Sequence, residues 1–326
     1  MTINRRHFLQ GAAALPAAAA IFPATARQAS ASAPKAGQQV PGVYRFTVGD
    51  AEVTALLDGH IDLGTQLISG YDADKAATAM ARNMQSTVND AVRIPVNGYL
   101  VNTGDRLTLI DAGTAQLMGP TLGNLGAGLA AAGVKPADID TVLLTHMHPD
   151  HSGGLVDAEG NAVFENAELA VAKAEWDFWY DDAILAGVPE GNQPFFHMAR
   201  NTTSPYRNRL KLIEGEAEVA PGFSSLPLPG HTPGHTGFML NSGNSSLLFW
   251  GDVIHMTGLQ FAHPDWTIAY DMDPAQTAET RRKMMDQAVA DNLLVTGAHI
   301  DFPGLGRVHR DGDAYRYQAA PWQYAL

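Results

Sequence analysis

The chain has 326 residues, a formal net charge of −13 and no cysteine. An acidic chain of this size is a poor partner for nucleic acid or an anionic membrane, and without cysteine neither disulfides nor thiolate ligands are available. Its apolar content supports a sizeable core, and only its N-terminus offers a long apolar stretch.

Asn4-Arg5-Arg6-His7-Phe8-Leu9, followed by an Ala-rich stretch from Gly11 to Phe22, reads as a twin-arginine export signal. The stretch is shorter than the roughly 20 residues that span a bilayer. Residues 1–33 are therefore read as a signal removed on export to the periplasm, and no membrane span is expected afterwards. Losing its three arginines takes the remainder to about −16. Residues 34–42 read as a Pro/Gly/Gln tail and 43–326 as a single domain. Within it, Tyr44 to Gly59 predicts two strands joined by a Gly49-Asp50 turn. Residues 73–86 predict a helix. Arg93 to Asp105 and Leu107 to Gly113 predict a hairpin of buried strands, and a helix over 121–132 should stop at Gly133.

Thr141-Val142-Leu143-Leu144 then predicts a buried strand that runs into Thr145-His146-Met147-His148-Pro149-Asp150-His151. His146 and His148, two apart in extended chain, face one side. Pro149 suits a first helical turn, which places Asp150 and His151 beside them. Three imidazoles and a carboxylate at one strand end are donors that a divalent metal such as zinc prefers. Packed together without a metal, their desolvation would go uncompensated.

Residues 174–200 hold Trp176, Phe178, Trp179, Tyr180, Phe195 and Phe196, and are expected to form an aromatic lid over the site. Three later stretches each stop on a potential ligand: Pro229 to Gly237 with His231 and His235, Ser246 to Asp252, and Leu293 to His299. Strand ends are where layered α/β proteins place their sites. Together with the first cluster they supply seven ligands, enough for two metal ions sharing a carboxylate.

His-x-His-x-Asp-His followed by His, Asp and His resembles the signature of the metallo-β-lactamase superfamily. The stretches Gly98 to Gly104, Gly119 to Gly123, Thr145 to His151, Gly230 to Thr236 and Phe302 to Gly304 are similar to the methyl parathion hydrolase-like subgroup, over about Tyr44 to Tyr317. The resemblance implies a four-layer αβ/βα sandwich and two divalent ions, zinc foremost. His146, His148 and His231 would hold one ion, Asp150, His151 and His299 the other, with Asp252 bridging. Asp150 and Asp252 would act catalytically with a metal-bridging hydroxide. His235 is expected to hydrogen-bond to outlying groups or backbone. Met118, Trp179 and Phe196 fall where the subgroup has apolar pocket residues.

His255, Ile268 and Tyr270 complete the expected pocket, and are bulkier or more polar than the subgroup's residues at those places. That should crowd a tetrahedral phosphotriester more than a planar ester. The expected function is thus a hydrolase of lactones or aryl esters with phosphotriesterase side activity, the alternative being a dedicated organophosphate phosphotriesterase. The expected partner is a small-molecule substrate, and a homodimer is left open. A glyoxalase II-like thioesterase would need more chain after residue 300. A zinc β-lactamase lacks the bridging aspartate. A non-catalytic periplasmic metal-binding protein would close its coordination shell.

Overall fold

The computed structural model describes residues 35–326, so the export signal read at 1–33 lies outside the described residues. In chain order come β1 (Val43–Val48), β2 (Ala51–Gly64), β3 (Ile68–Ser69), α1 (Ala73–Arg82), β4 (Ala91–Asn102), β5 (Leu107–Ile110), α2 (Leu125–Ala131), β6 (Thr141–Leu143), α3 (Pro149–Ser152) and β7 (Glu168–Ala172). Three helices follow, α4 (Lys173–Tyr180), α5 (Asp182–Gly187) and α6 (Gln193–Thr203), and then β8 (Leu210–Ile213). The remainder is β9 (Glu218–Ala220), β10 (Phe223–Pro227), β11 (Thr236–Ser242), β12 (Ser245–Phe249), α7 (Thr257–Gln260), β13 (Thr267–Ile268), α8 (Pro274–Ala290), β14 (Leu294–Thr296), β15 (Gly306–Asp311) and β16 (Ala314–Ala319). Residues 35–42 carry no helix or strand.

The strands form two seven-stranded sheets, ordered β1-β2-β4-β5-β6-β7-β8 and β16-β15-β14-β12-β11-β10-β9. Alternation makes β1 bury Tyr44, Phe46 and Val48 on one face. These pack with Phe238, Leu240, Leu247 and Phe249 of the other sheet in one apolar layer. On the outer face of the first sheet, Leu125 and Leu129 of α2, Trp179 of α4 and Phe196 and Ala199 of α6 close a second core. Met284, Met285 and Ala288 of α8 do the same for the second sheet. Helices, sheet, sheet and helices give an αβ/βα sandwich of four layers.

The ligand-bearing segments follow the ends of β6, β12 and β14. β5, β6, β7 and β8 run parallel, as do β12 and β14, so those ends collect at one rim. β6 is buried throughout, as a parallel strand covered on both faces should be.

Local structure departs from the sequence expectations at three places. α2 begins at Leu125 rather than 121, because the buried Asp58 carboxylate captures the N–H groups of Gly123 and Leu125 and keeps 121–124 a loop. α1 stops at Arg82, and Met84 turns into the left-handed region at φ 55°, which ends the helix without a glycine. The 174–200 stretch folds as helices on the sheet's outer face. Trp179 and Phe196, expected over the site, are 1% and 2% exposed in that core.

At the outer edge of β1, Gln323 uses its side-chain amide as a strand would use its peptide. Its Oε1 accepts the Thr47 N–H at 2.9 Å, and its Nε2 donates to Thr47 O at 3.3 Å. Its own N–H goes to Tyr44 Oη, and Trp322 lies 3.9 Å from the Tyr44 ring.

Candidate metal centre

Beyond β6, the backbone of Thr145 is fixed by Asp111, whose Oδ1 accepts the Thr145 N–H and whose Oδ2 accepts its hydroxyl. His146 and His148 then face inward with Nε2 and Nδ1 3.0 Å apart, and His148 Nδ1 is 2.9 Å from His231 Nε2. Pro149 opens α3, which carries Asp150 and His151 to the same rim. Asp252 follows β12 in a short 3-10 turn, and His299 follows β14.

Asp252 Oδ2 lies at the middle of the arrangement. The Nε2 atoms of His151, His231, His299 and His146 stand 3.3, 3.3, 3.2 and 3.6 Å from it. Asp150 Oδ2 is 3.5 Å from His151 Nε2 and 3.4 Å from His299 Nε2. The donor atoms gather as His146, His148 and His231, as Asp150, His151, Asp252 and His299, and as His231, Asp252 and His255. Asp252 Oδ1 and His151 Nε2 are buried without a hydrogen-bond partner. Unpartnered donors converging from two sides are what a pair of divalent cations would satisfy, so the residues fit such ions.

The outward ring nitrogens are pinned in place. His151 Nδ1 is 2.9 Å from Asp111, His231 Nδ1 is 2.7 Å from Asp271, and His299 Nδ1 is 2.7 Å from Pro95 O. Such contacts set tautomer and ring orientation at metal sites. His235 serves the frame: its Nδ1 meets Leu228 O and its Nε2 accepts the Asp252 N–H.

Charge follows geometry. Burial pushes the His148 and His235 imidazoles down to about 3 and His255 to about 4. Burial works the same way on His151 and His299, but Asp252 and Asp150 outweigh it. They hold His299 up at about 10 and His151 well above its usual range. Burial would raise Asp252, yet the surrounding imidazoles keep it well below the usual carboxylate range. Burial likewise opposes ionisation of Asp271, which its His231 hydrogen bond brings down to about 2.

Above the donors opens a cavity of about 160 Å³. Met118, Ile268, Tyr270 and His255 line it, joined by Ile61, Leu67 and Phe195. Trp179 and Phe196 do not line it; they border an adjoining groove that shares His148, Leu67, Phe195 and Tyr270 with it. Phe195, one residue before Phe196, takes the place expected of its neighbour, because α6 turns Phe196 toward the core. The supporting carboxylates Asp58, Asp111, Glu175 and Asp271 were given no role by the sequence. Asp111 had the same signal as Asp252, an apolar strand ending on a lone acid.

Residues 91–299 match the family model of the metallo-beta-lactamase superfamily. The chain belongs to the metallo-beta-lactamase superfamily. Residues 2–22 match the twin-arginine translocation signal, so this superfamily member carries a signal for export to the periplasm. No helix among its described residues is long and apolar enough to cross a membrane. An N-acyl homoserine lactonase of Bacillus cereus is 27% identical over 185 residues, 51% of this chain and 66% of that protein, just under two thirds of its length. Among solved structures, the hydrolase AbOPH of the beta lactamase superfamily superposes with a TM-score of 0.83 at 31% identity, covering 88% of this chain and all of AbOPH. AidC, a dizinc quorum-quenching lactonase in complex with a product, gives a TM-score of 0.79 at 27% identity over the same shares.

Proposed function

We propose that this superfamily member is a binuclear metal-dependent hydrolase that opens lactones, N-acyl homoserine lactones foremost, and cleaves aryl esters. The observation that carries the reading is the gathering of seven His and Asp donors, Asp252 among them, beneath an apolar cavity. The names of the lactonase relatives and of the dizinc neighbour support the substrate class.

His146, His148 and His231 would hold one ion, Asp150, His151 and His299 the other, with Asp252 shared. Divalent ions bound there would supply a hydroxide nucleophile at neutral pH and Lewis acidity toward an ester oxygen. Zinc suits this imidazole and carboxylate set. The chain's own residues do the rest. Phe195, Ile268, Tyr270 and Met118 take the apolar part of the substrate and exclude water from the reacting bond. Asp150, on the cavity wall, is placed to orient the nucleophile. Asp271, Asp111 and the Pro95 carbonyl keep the imidazoles in register, so no rearrangement is needed as charge develops.

A phosphotriester carries two more alkoxy arms than a lactone, and Ile268 and Tyr270 on the cavity wall would crowd them. Phosphotriesterase action is accordingly proposed as a side activity. The test is a parallel measurement of kcat/KM on an N-acyl homoserine lactone, an aryl ester and a phosphotriester, each before and after chelation. The expected order is lactone and aryl ester above phosphotriester, with all three abolished by the chelator. A phosphotriester rate above the other two would reverse the assignment in favour of a dedicated phosphotriesterase.

A further inference from the structure

His255 is buried among the donors, and neither of its ring nitrogens has a hydrogen-bond partner. Its Nε2 stands 3.1 Å from Asp252 Oδ2, closer than the nitrogen of any of the other imidazoles around that oxygen. The pair is not aligned as a hydrogen bond. Donors each about 2.1 Å from one zinc stand roughly 3.0–3.4 Å apart, which is the range observed.

The contrast with His235 is informative. That ring is just as buried and just as near the site, and both its nitrogens are satisfied by Leu228 O and the Asp252 N–H. A structural histidine in this protein therefore finds its partners. His255 instead shares the condition of His151 Nε2 and Asp252 Oδ1, the other unpartnered atoms at the centre. A buried nitrogen left unpaired costs about 1–3 kcal/mol, so the Nε2 that faces the donors calls for a partner outside the protein.

We propose that His255 is an eighth ligand of the binuclear centre, its Nε2 reaching the ion held by His146, His148 and His231. The proposal rests on the binuclear reading above. His231, Asp252 and His255 already form a group whose donor atoms lie within 4.8 Å of one another. The ring plane is set by stacking on His299, 5.2 Å away at 17°, rather than by a hydrogen bond on Nδ1. The main chain is held instead, with Gln260 Oε1 accepting the N–H groups of His255 and Met256. A ligand anchored through its backbone and free at Nδ1 can swing off its ion, so His255 is the donor that an incoming substrate oxygen would replace.

The decisive experiment counts imidazoles directly. The full-length protein loaded with cadmium-113 is examined by proton–cadmium correlated NMR. Six histidine rings are expected to correlate with cadmium in the wild type and five in His255→Phe. Five in the wild type, with two cadmium ions bound per chain, overturns the proposal and leaves the binuclear reading standing. Fewer than two ions bound per chain overturns both. In parallel, competition with a chelator should show zinc bound to His255→Phe more weakly by more than the roughly 10- to 100-fold typical of losing an outer partner. His255→Glu, which restores a donor of similar reach, should recover most of the loss. The metal-free variants should melt with the wild type, and unchanged zinc affinity in a folded His255→Phe overturns the assignment. Should that variant fail to fold, the wild-type count alone decides.

Discussion

Glu175 has no solvent contact, yet its carboxylate takes four hydrogen bonds: from Met147 N at 2.9 Å, Trp179 Nε1 at 2.6 Å, Thr232 Oγ1 at 2.6 Å and Gly234 N at 3.0 Å. Met147 lies between two candidate ligands, and Thr232 follows a third. One side chain therefore joins the two loops that bring His146, His148 and His231 together. Burial pushes its carboxyl up from the ordinary value, against the pull of the four donors. Glu175→Gln would turn an NH2 group toward donors that have nothing else to bond. We expect a loss of about 2–4 kcal/mol in denaturant unfolding of the metal-free protein, together with weaker zinc binding. Unchanged stability would show that the loops hold their course without the carboxylate. The sequence made the donors legible because imidazoles clustered at strand ends have few other uses. It hid Glu175, which sits in a helix among aromatics and shows its role only once the loops of residues 147 and 232–234 fold against it. The partner of the Trp179 indole N–H, Glu175, was hidden for the same reason.

Strands were the legible elements. The apolar runs before His146, Asp252 and His299 identified β6, β12 and β14, since consecutive strand positions covered on both faces are apolar, as Leu247, Leu248 and Phe249 of β12 are. Loop paths were not legible, because they depend on distant carboxylates and carbonyls. Asp58 shortens α2 in this way, and α8 has a counterpart in Arg281. That arginine is wholly buried, donating from Nε to Val253 O and from Nη1 to Pro264 O and Trp266 O. Burial brings its guanidinium down to about 10. These three carbonyls belong to the chain that shapes the cavity on either side of His255 and Ile268. Arg281→Leu leaves the Val253 and Pro264 carbonyls without their donor, while Trp266 O keeps the Gln260 amide, at about 1–3 kcal/mol for each carbonyl left bare in full burial. The expected outcome is a fall in unfolding free energy of about 3–5 kcal/mol. KM for the lactone should rise more than kcat falls, since the cavity wall loosens while the donors stay. Equal loss in both constants would place the effect at the ions instead.

For the whole molecule, the uneven distribution of protons around the centre has a measurable result. In the metal-free protein His299 holds its proton up to about 10 and His151 is raised likewise, so both are cationic at neutral pH. A metal ion requires neutral imidazole, so its entry expels them. Metal uptake near pH 7.5 should release about two protons from this pair, beside about one from the water that becomes the proposed hydroxide, and affinity should rise with pH until His299 is deprotonated in the free protein. Calorimetry in buffers of different ionisation enthalpy reads the number directly. A total of about one or less, in place of about three, would mean that both rings are already neutral. The acidic surface and the twin-arginine signal suit a protein exported already folded, and the absence of cysteine leaves its stability to the apolar layer between the sheets.

That layered architecture leaves one flank of β1 without a neighbouring strand, and Gln323 covers it. An open flank of this kind is a template on which a second molecule can add its own strand, the first step toward aggregates. The glutamine amide occupies the Thr47 position, and the Trp322 ring lies over Tyr44 beside it. Together they act as a guard against self-association in a crowded compartment. Removing residues 321–326 should leave the melting temperature within a few degrees of the full chain, because little core is lost. The same truncation should raise light scattering on storage at high concentration, and Thr47→Pro, which deletes the N–H that a second molecule would use, should suppress it. A truncated protein that stays monodisperse would show that the flank is protected by twist or charge alone.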